Sequence, residues 1–143
     1  MPVWNPLYNK YIVCLESIQI KFLRAMQYRC YGNQIPYVQL LSDYKLISLE
    51  ARRKQLEALF LYSLCHNKYD CPSLINQICY CIPTRTHCRN PSRLFATNRC
   101  RTNAGKRQPL YRMVNSYNNH FNSIDIAATR PSSFKKAINS LLK

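Results

Sequence analysis

Acidic residues are scarce in this chain of 143 residues, where six aspartates and glutamates accompany 21 lysines and arginines. The sequence also lacks any run of the ~20 apolar residues that a membrane-spanning helix needs. Its first residues do not combine a basic stretch with a following apolar block, as a secretory signal would. We therefore expect an intracellular protein, cytoplasmic or nuclear, that is neither secreted nor inserted in a membrane.

Internal repeats, low-complexity tracts and adjacent aspartates are absent as well. Two-metal polymerases hold their catalytic ions with paired carboxylates, and the acids here are scattered singly: Glu16, Asp43, Glu50, Glu57, Asp70 and Asp125. The chain is long enough for one domain with a buried core but too short for a complete polynucleotide polymerase. We expect a single domain over residues 1–143 that has no enzymatic activity of its own and no cofactor.

Positive charge is concentrated in the second half of the chain. Residues 71–143 contain 12 lysines and arginines and a single acid, Asp125. Such an excess attracts polyanions, with nucleic acid favoured over an anionic membrane surface or a simple gain in solubility. The expected partner is therefore RNA or DNA, and the candidate phosphate contacts are Arg85, Arg89, Arg93, Arg99, Arg101, Lys106, Arg107 and Arg112.

Arginine suits phosphate recognition because its planar guanidinium can bind two oxygens at once. Tyr80, Phe95 and Tyr111 supply rings that could stack on unpaired bases, although aromatic residues at such spacing more often serve as core. Alternatively, the arginines form a solvent-exposed face and hydrogen-bond to backbone carbonyls of the same chain, without contacting nucleic acid. If about five phosphates are neutralised, affinity should fall with salt at a log–log slope near −4 to −5.

Apolar periodicity predicts a mainly α-helical domain of about five or six helices. The first helix is predicted over residues 10–29, where apolar residues recur at intervals of three and four. Its core-facing stripe would be Tyr11, Leu15, Ile18, Phe22 and Met26.

Caps and breaks predict the other elements. Pro36 opens a short helix to residue 41, Ser48 caps a helix over residues 49–66, and Asp70 caps a short helix that contains Pro72. One of two serines, Ser132 or Ser133, caps the last helix. The domain thus divides into a helical part over residues 1–81, a basic irregular segment over residues 82–109 with one or two short strands at most, and C-terminal helices over residues 110–143.

Eight cysteines would indicate a disulfide framework in a secreted chain, but no signal sequence accompanies them. Free buried thiols are the simpler interpretation, because Cys14 and Cys65 occupy helical positions where a small hydrophobe would serve. A zinc site is the weaker alternative, since the ligand spacings do not match the usual pairs. Its candidate ligands are Cys71, Cys79, Cys81 and Cys88.

Two histidines directly adjoin cysteines, which raises the possibility of a nucleophilic thiol with a neighbouring base. The pairs are Cys65 with His66 and His87 with Cys88. Sequence neighbours rarely face each other on a helix, so we do not expect either pair to be catalytic.

Three groups of residues, in one order, resemble a known family. The first group is Trp4-Asn5-Pro6, Leu15-Glu16, Gln19, Phe22 and Arg24. The second is Leu49-Glu50, Arg52-Arg53, Phe60-Leu61-Tyr62, Asp70-Cys71-Pro72-Ser73-Leu74 and Ile82-Pro83-Thr84-Arg85. The third is Arg101-Thr102-Asn103, Gly105, Pro109-Leu110, Arg112, Tyr117 and Asn118. Together they are similar to the C-terminal, post-polymerase region of reverse transcriptases from insect-type non-LTR retrotransposons of the jockey and X-element kind.

This resemblance implies part of an RNA-directed DNA polymerase. In that family the palm and its metal-binding aspartates lie upstream of the Trp-x-Pro element, so a truncated copy or a wrongly delimited reading frame is expected here. The implied role is to hold template RNA or target DNA beside the upstream polymerase domain of the parent protein, without a zinc knuckle. The alternatives are a purely structural domain that packs on the polymerase thumb and a non-functional transposon relic.

Overall fold

The mainly α-helical fold is confirmed by a computed structural model that describes residues 5–6, 8–32, 35–81, 93–97 and 99–142. Within those ranges the chain forms seven α-helices, one or two more than predicted. None of these helices combines the length and the apolar character needed to cross a membrane. The helices are α1 (Asn9–Tyr31), α2 (Tyr37–Asp43), α3 (Leu49–Cys65), α4 (Pro72–Ile75), α5 (Asn103–Arg107), α6 (Pro109–His120) and α7 (Pro131–Leu141).

The predicted irregular segment differs from the structure at its C-terminal end. A five-residue helix, α5, lies inside it, because an element of little more than one turn leaves no periodic pattern in the sequence. In place of a strand pair, the described residues of this region form a single antiparallel bridge between Tyr80 and Phe95.

Helix α3 is the centre of the domain and packs against α1, α4, α6 and α7. It shares one apolar core with α6, α7 and the segments beside them. Helix α6 contributes one apolar face to this core, since Met113, Val114, Tyr117 and the following Phe121 are buried. The buried cluster consists of Ala58, Leu61, Tyr62, Phe95, Val114, Tyr117, Phe121, Ile126, Phe134 and Ile138.

The predicted core-facing stripe of α1 is wrong, although the helix itself is confirmed. Tyr11, Ile18 and Phe22 are more than half exposed, whereas Leu23 and the polar Gln27 are the buried positions of this helix. The helix has therefore turned a neighbouring face inward, and its most apolar face lies on the surface.

Polar contacts explain this orientation of α1. The Glu16 carboxylate accepts a hydrogen bond from the Tyr37 hydroxyl at 2.5 Å and a longer one from the Leu49 amide at 3.4 Å. The amide group of Gln19 donates to the carbonyl of Ile47 at 3.4 Å. Burial, together with the Glu16 hydrogen bond, raises the pKa of Tyr37 above its ordinary value. These bonds hold the polar side of α1 against α2 and the start of α3, so periodicity alone could not identify the inner face.

The predicted helix caps are partly confirmed. Ser48 caps α3, because its hydroxyl accepts a hydrogen bond from the Ala51 amide at 3.2 Å. The predicted caps at Asp70 and at Ser132 or Ser133 are wrong, since α4 and α7 begin without a side-chain cap. Both of those helices have a proline in the first turn, where its fixed φ favours helix entry and the missing N–H needs no partner.

Replacing Ser48 with alanine should lower the free energy of unfolding by about 1 kcal/mol, because the Ala51 amide loses its capping oxygen. The matched control is Ser132→Ala, which removes a hydroxyl that makes no cap and should change stability by less than about 0.5 kcal/mol. Urea unfolding followed by far-UV circular dichroism measures both. Equal losses in the two variants would contradict the assignment of Ser48 as the cap.

Candidate nucleic-acid interface

Five of the candidate cations are exposed on the surface between residues 93 and 107. None of them forms an ion pair with an acid in the described part of the chain, and no acid occurs between residues 93 and 107. They are Arg93, Arg99, Arg101, Lys106 and Arg107. Arg85 and Arg89 lie outside the described residues. The five cations form a basic surface whose charge is available to a polyanion.

Phe95 anchors this basic surface to the core. Its side chain has 0% exposure, and its ring lies 5.3 Å from the rings of both Tyr80 and Tyr117. The Asn118 side chain bonds to both backbone polar groups of Phe95: it donates to the carbonyl at 2.8 Å and accepts from the amide at 3.3 Å. Because both polar groups of Phe95 are satisfied inside the protein, the neighbouring arginines project from a fixed backbone.

Helix α5 presents two of the cations, and its start is closely packed. The Thr102 hydroxyl accepts a hydrogen bond from the Gly105 amide at 3.2 Å and so caps the helix. A Cβ at Gly105 would lie 3.3 Å from the Thr102 hydroxyl and 3.4 Å from the Cys100 thiol. Glycine at this position therefore permits the close approach that places Lys106 and Arg107 beside the preceding extended segment.

Arg107 also links the basic surface to α1. Its guanidinium lies 4.9 Å from the centre of the Tyr8 ring and donates a hydrogen bond to the Tyr8 hydroxyl. Both side chains are exposed, so the contact orients the arginine without removing it from solvent. Cation–π contact of this kind leaves the outer edge of the guanidinium free to meet an anion.

Arg112 differs from the other candidates because it is turned into the protein. Its Nε atom donates to the Glu57 carboxylate at 2.7 Å, and Asn5 donates to the same oxygen at 2.9 Å. Glu57 is 2% exposed. The geometry therefore assigns Arg112 to the link between α3, α6 and the N-terminal segment rather than to a phosphate.

The three aromatic candidates have separate environments. Phe95 cannot stack on a base because it is fully buried, so it serves as core, the role that aromatic residues at such spacing have more often. Tyr80 is half exposed and packs one side of its ring on Phe95. Tyr111 is partly exposed and lines a cavity next to the basic surface.

That cavity has a volume of about 290 Å³ and opens between the end of α4, the extended segment after Phe95 and the start of α6. Its lining includes three carboxamides and a threonine, which are polar, and Leu110 and Val114, which are apolar. The lining residues are Asn76, Gln77, Cys79, Ala96, Thr97, Cys100, Gln108, Leu110, Tyr111 and Val114. The sequence prediction missed these carboxamides, because single polar residues at turns have no periodic or compositional signal.

Four of the six acids have partners other than the cations of the basic surface. Glu57 and Glu16 accept the hydrogen bonds described above, and Asp125 accepts from the amides of Ala127 and Ala128 at 2.8 and 3.3 Å. Glu50 pairs with Lys54 at 2.9 Å, and that hydrogen bond lowers the pKa of the Glu50 carboxyl. The net charge of +15 is therefore expressed largely at the surface.

The seven cysteines in the described ranges are free thiols, but they are not the buried thiols that were predicted. Cys14, for example, is exposed, and Cys65 is only partly buried. Among the zinc candidates, Cys79 and Cys81 are exposed and Cys71 is partly buried, while Cys88 lies outside the described residues. In the described ranges no three histidine, cysteine or acidic side chains are grouped as a metal site would require.

The Cys65 and His66 side chains have different partners. Burial raises the pKa of the Cys65 thiol, and a hydrogen bond from Tyr80 offsets only part of that rise. Burial and the bond to Cys65 raise the pKa of Tyr80 to about 12. The His66 Nε2 atom lies 2.9 Å from the carbonyl oxygen of Ile126, to which it can only donate. The bonded partner of the Cys65 thiol is therefore Tyr80, and the described contacts join His66 to Ile126 instead.

Comparison with known proteins gives no match: no family model, no curated protein and no solved structure is detectably similar to this chain.

Proposed function

We propose that this chain binds single-stranded RNA or DNA, as the C-terminal region of an RNA-directed DNA polymerase of the non-LTR retrotransposon kind. It acts in the cytoplasm or the nucleus and holds nucleic acid beside the polymerase domain of the parent protein, without a catalytic centre of its own. The observation that supports this most strongly is the surface of five exposed, unpaired cations over residues 93–107, which Phe95 anchors to the core. The family resemblance described above supports the polymerase context.

The expected interaction is chiefly with the phosphate backbone. Each phosphate neutralised on a single strand contributes about −0.7 to the log–log dependence of affinity on salt, so five contacts give a slope of about −3.5, shallower than the −4 to −5 expected for duplex DNA. Arginine predominates among the five and can bind two oxygens of one phosphate. Sequence-independent binding of this kind suits a domain that holds a template while the polymerase moves along it.

The test is fluorescence anisotropy with short RNA and single-stranded DNA across a salt series. Replacing Arg99, Arg101 and Arg107 together with alanine should weaken binding by about 100-fold at low salt and reduce the slope to about −1.5. The matched control replaces three exposed α1 cations, Lys21→Ala, Arg24→Ala and Arg29→Ala, which removes the same charge elsewhere. Equal losses in the two triple variants, or binding that ignores salt, would contradict the assignment of the interface.

A second candidate function is supported by the exposed apolar face of α1. Tyr11, Ile18 and Phe22 lie at helical spacing on this face and are each more than half exposed. Phe22 also lines an open cavity of about 430 Å³, where Leu46 adds apolar surface. A contiguous exposed apolar face commonly marks a protein interface. On this alternative the domain packs through α1 on the thumb of the parent polymerase and makes no contact with nucleic acid.

This alternative is tested by binding to a purified polymerase domain of a jockey-like reverse transcriptase that includes the thumb. If the domain packs through α1, the double variant Ile18→Ser and Phe22→Ser should lose its binding to the polymerase domain. The control, Val13→Ser with Tyr28→Ser, changes exposed apolar residues outside the face and should bind normally. Salt-dependent nucleic-acid binding with no affinity for the polymerase domain would leave only the first function.

A further inference from the structure

The cavity beside the basic surface has the chemistry of a site for an unpaired base. We propose that it receives one nucleobase of the bound single strand, with adenine favoured. The proposal rests on the nucleic-acid binding proposed above and identifies what part of the ligand the cavity holds.

The described residues of the cavity lining carry hydrogen-bonding groups but no charge. Asn76, Gln77 and Gln108 each offer both a donor and an acceptor, and none of the described lining side chains is acidic or basic. In a protein of net charge +15, a neutral cavity suits a neutral heterocycle better than a phosphate or a cation. Asparagine and glutamine pair with adenine through two hydrogen bonds, to its N6 and N7 atoms, which is why adenine is the favoured base.

The carboxamides are held in position but keep capacity for a ligand. The Gln108 Nε2 atom donates to the Gln77 Oε1 atom at 3.4 Å, a long bond that joins the two walls of the cavity. This contact leaves the Gln108 oxygen and the Gln77 amide hydrogens available. The pair can therefore offer an acceptor and a donor to one base edge.

The size and the apolar surfaces of the cavity match a single base. Its volume of about 290 Å³ is at the lower limit of small-molecule sites, so one heterocycle fits better than a longer segment. Tyr111 supplies a ring for stacking, and Leu110 and Val114 supply apolar contact. Single-stranded RNA is commonly recognised in this way, with a base turned out, stacked on an aromatic ring and bonded at its edge.

Three exposed arginines are direct sequence neighbours of residues that line the cavity. Arg99 and Arg101 flank Cys100, and Arg107 precedes Gln108. A strand crossing the basic surface can therefore keep its phosphates on the arginines while one base enters the cavity.

The test compares a 12-nucleotide uridine RNA with the same RNA carrying one central adenine. We expect the adenine to tighten binding about tenfold through its paired hydrogen bonds and stacking. In a second measurement, 2-aminopurine replaces the adenine; it keeps N7 and the ring face but lacks the N6 amino group, so it reports stacking and not the paired hydrogen bonds. Its fluorescence should be quenched when it stacks on Tyr111. Gln77→Leu should abolish the adenine preference, and Tyr111→Ala should abolish the quenching. Both variants should keep the salt slope of the unsubstituted chain.

The control variant is Gln39→Leu, an exposed glutamine on α2 that does not line the cavity. It should keep both the preference and the quenching. Equal affinity of the unsubstituted chain for both RNAs, without quenching, would overturn the base site. A steep salt slope in the same measurements would still support the proposed function. Absence of any binding at low salt would overturn both.

Discussion

Replacing Glu57 with glutamine is expected to lower the free energy of unfolding by about 3–5 kcal/mol, the range for breaking a buried ion pair from one side. The carboxylate is 2% exposed and accepts hydrogen bonds from Arg112 at 2.7 Å and from Asn5 at 2.9 Å. Glutamine fills the same space but carries no charge. The Arg112 guanidinium then keeps its place inside the protein without its carboxylate partner, and that uncompensated charge is the main cost.

The measurement is urea unfolding, and the matched control is Glu50→Gln on the same helix. Glu50 pairs with Lys54 one turn away at 2.9 Å, but on the surface, so its loss should cost less than about 0.5 kcal/mol. Similar losses in the two variants would mean that the buried pair has no special role in holding α3 to α6.

A double variant separates the charge from the packing. Glu57→Leu with Arg112→Met removes both charged groups and replaces them with apolar side chains, which are commonly tolerated in place of a buried ion pair. The double variant should therefore be more stable than Glu57→Gln. If it is less stable, then shape and hydrogen bonding at this site matter more than the unpaired charge.

Except for the short α5, the helices of the described residues could be predicted from the sequence, but the face that α1 buries could not. The apolar stripe of α1 correctly indicated a helix, since periodicity reports local geometry. The orientation of the helix depends on Glu16 and Gln19, which bond to the Tyr37 hydroxyl, the Leu49 amide and the Ile47 carbonyl. Those partners lie 21 to 33 residues away, and a single sequence gives no signal for such long-range polar contacts.

The candidate site shows the same division between local and long-range information. The absence of acids over residues 93–107 was visible in the sequence, and five of the cations are exposed there. The inward turn of Arg112 was not visible, because it depends on Glu57, which is 55 residues away. Nor was the cavity, whose walls come from residues on both sides of the basic segment.

Several residues that carry the family resemblance hold the fold together. Asn5 and Arg112 meet at Glu57, and Asn118 fixes the backbone of Phe95. Glu16 likewise joins α1 to the start of α3. Substitutions at these positions should therefore lower mainly the free energy of unfolding, whereas substitutions of the exposed arginines should lower mainly the affinity for nucleic acid. Urea unfolding and fluorescence anisotropy together distinguish the two kinds of variant.

Phe95 and Phe22 lie in opposite environments. Phe95, for which both core and stacking were considered, has 0% exposure, while Phe22, a predicted core residue, is 63% exposed. Phe95→Ala should therefore lower the free energy of unfolding by about 3–5 kcal/mol, because it empties a fully packed position between two rings. Phe22→Ala removes the same atoms from the surface and should change stability by less than about 0.5 kcal/mol. Urea unfolding of the two variants measures the difference.

The same pair of variants tests whether the core supports the basic surface. Once Phe95 is lost, the backbone beside Arg93 and Arg99 is no longer anchored, so Phe95→Ala should weaken nucleic-acid binding even at temperatures where the variant stays folded. Phe22→Ala should bind with unchanged affinity. If Phe95→Ala binds as tightly as the unsubstituted chain, the cations act as independent flexible charges, and preorganisation by the core contributes nothing to binding. If affinity falls with stability, the buried ring and the exposed arginines act as one unit.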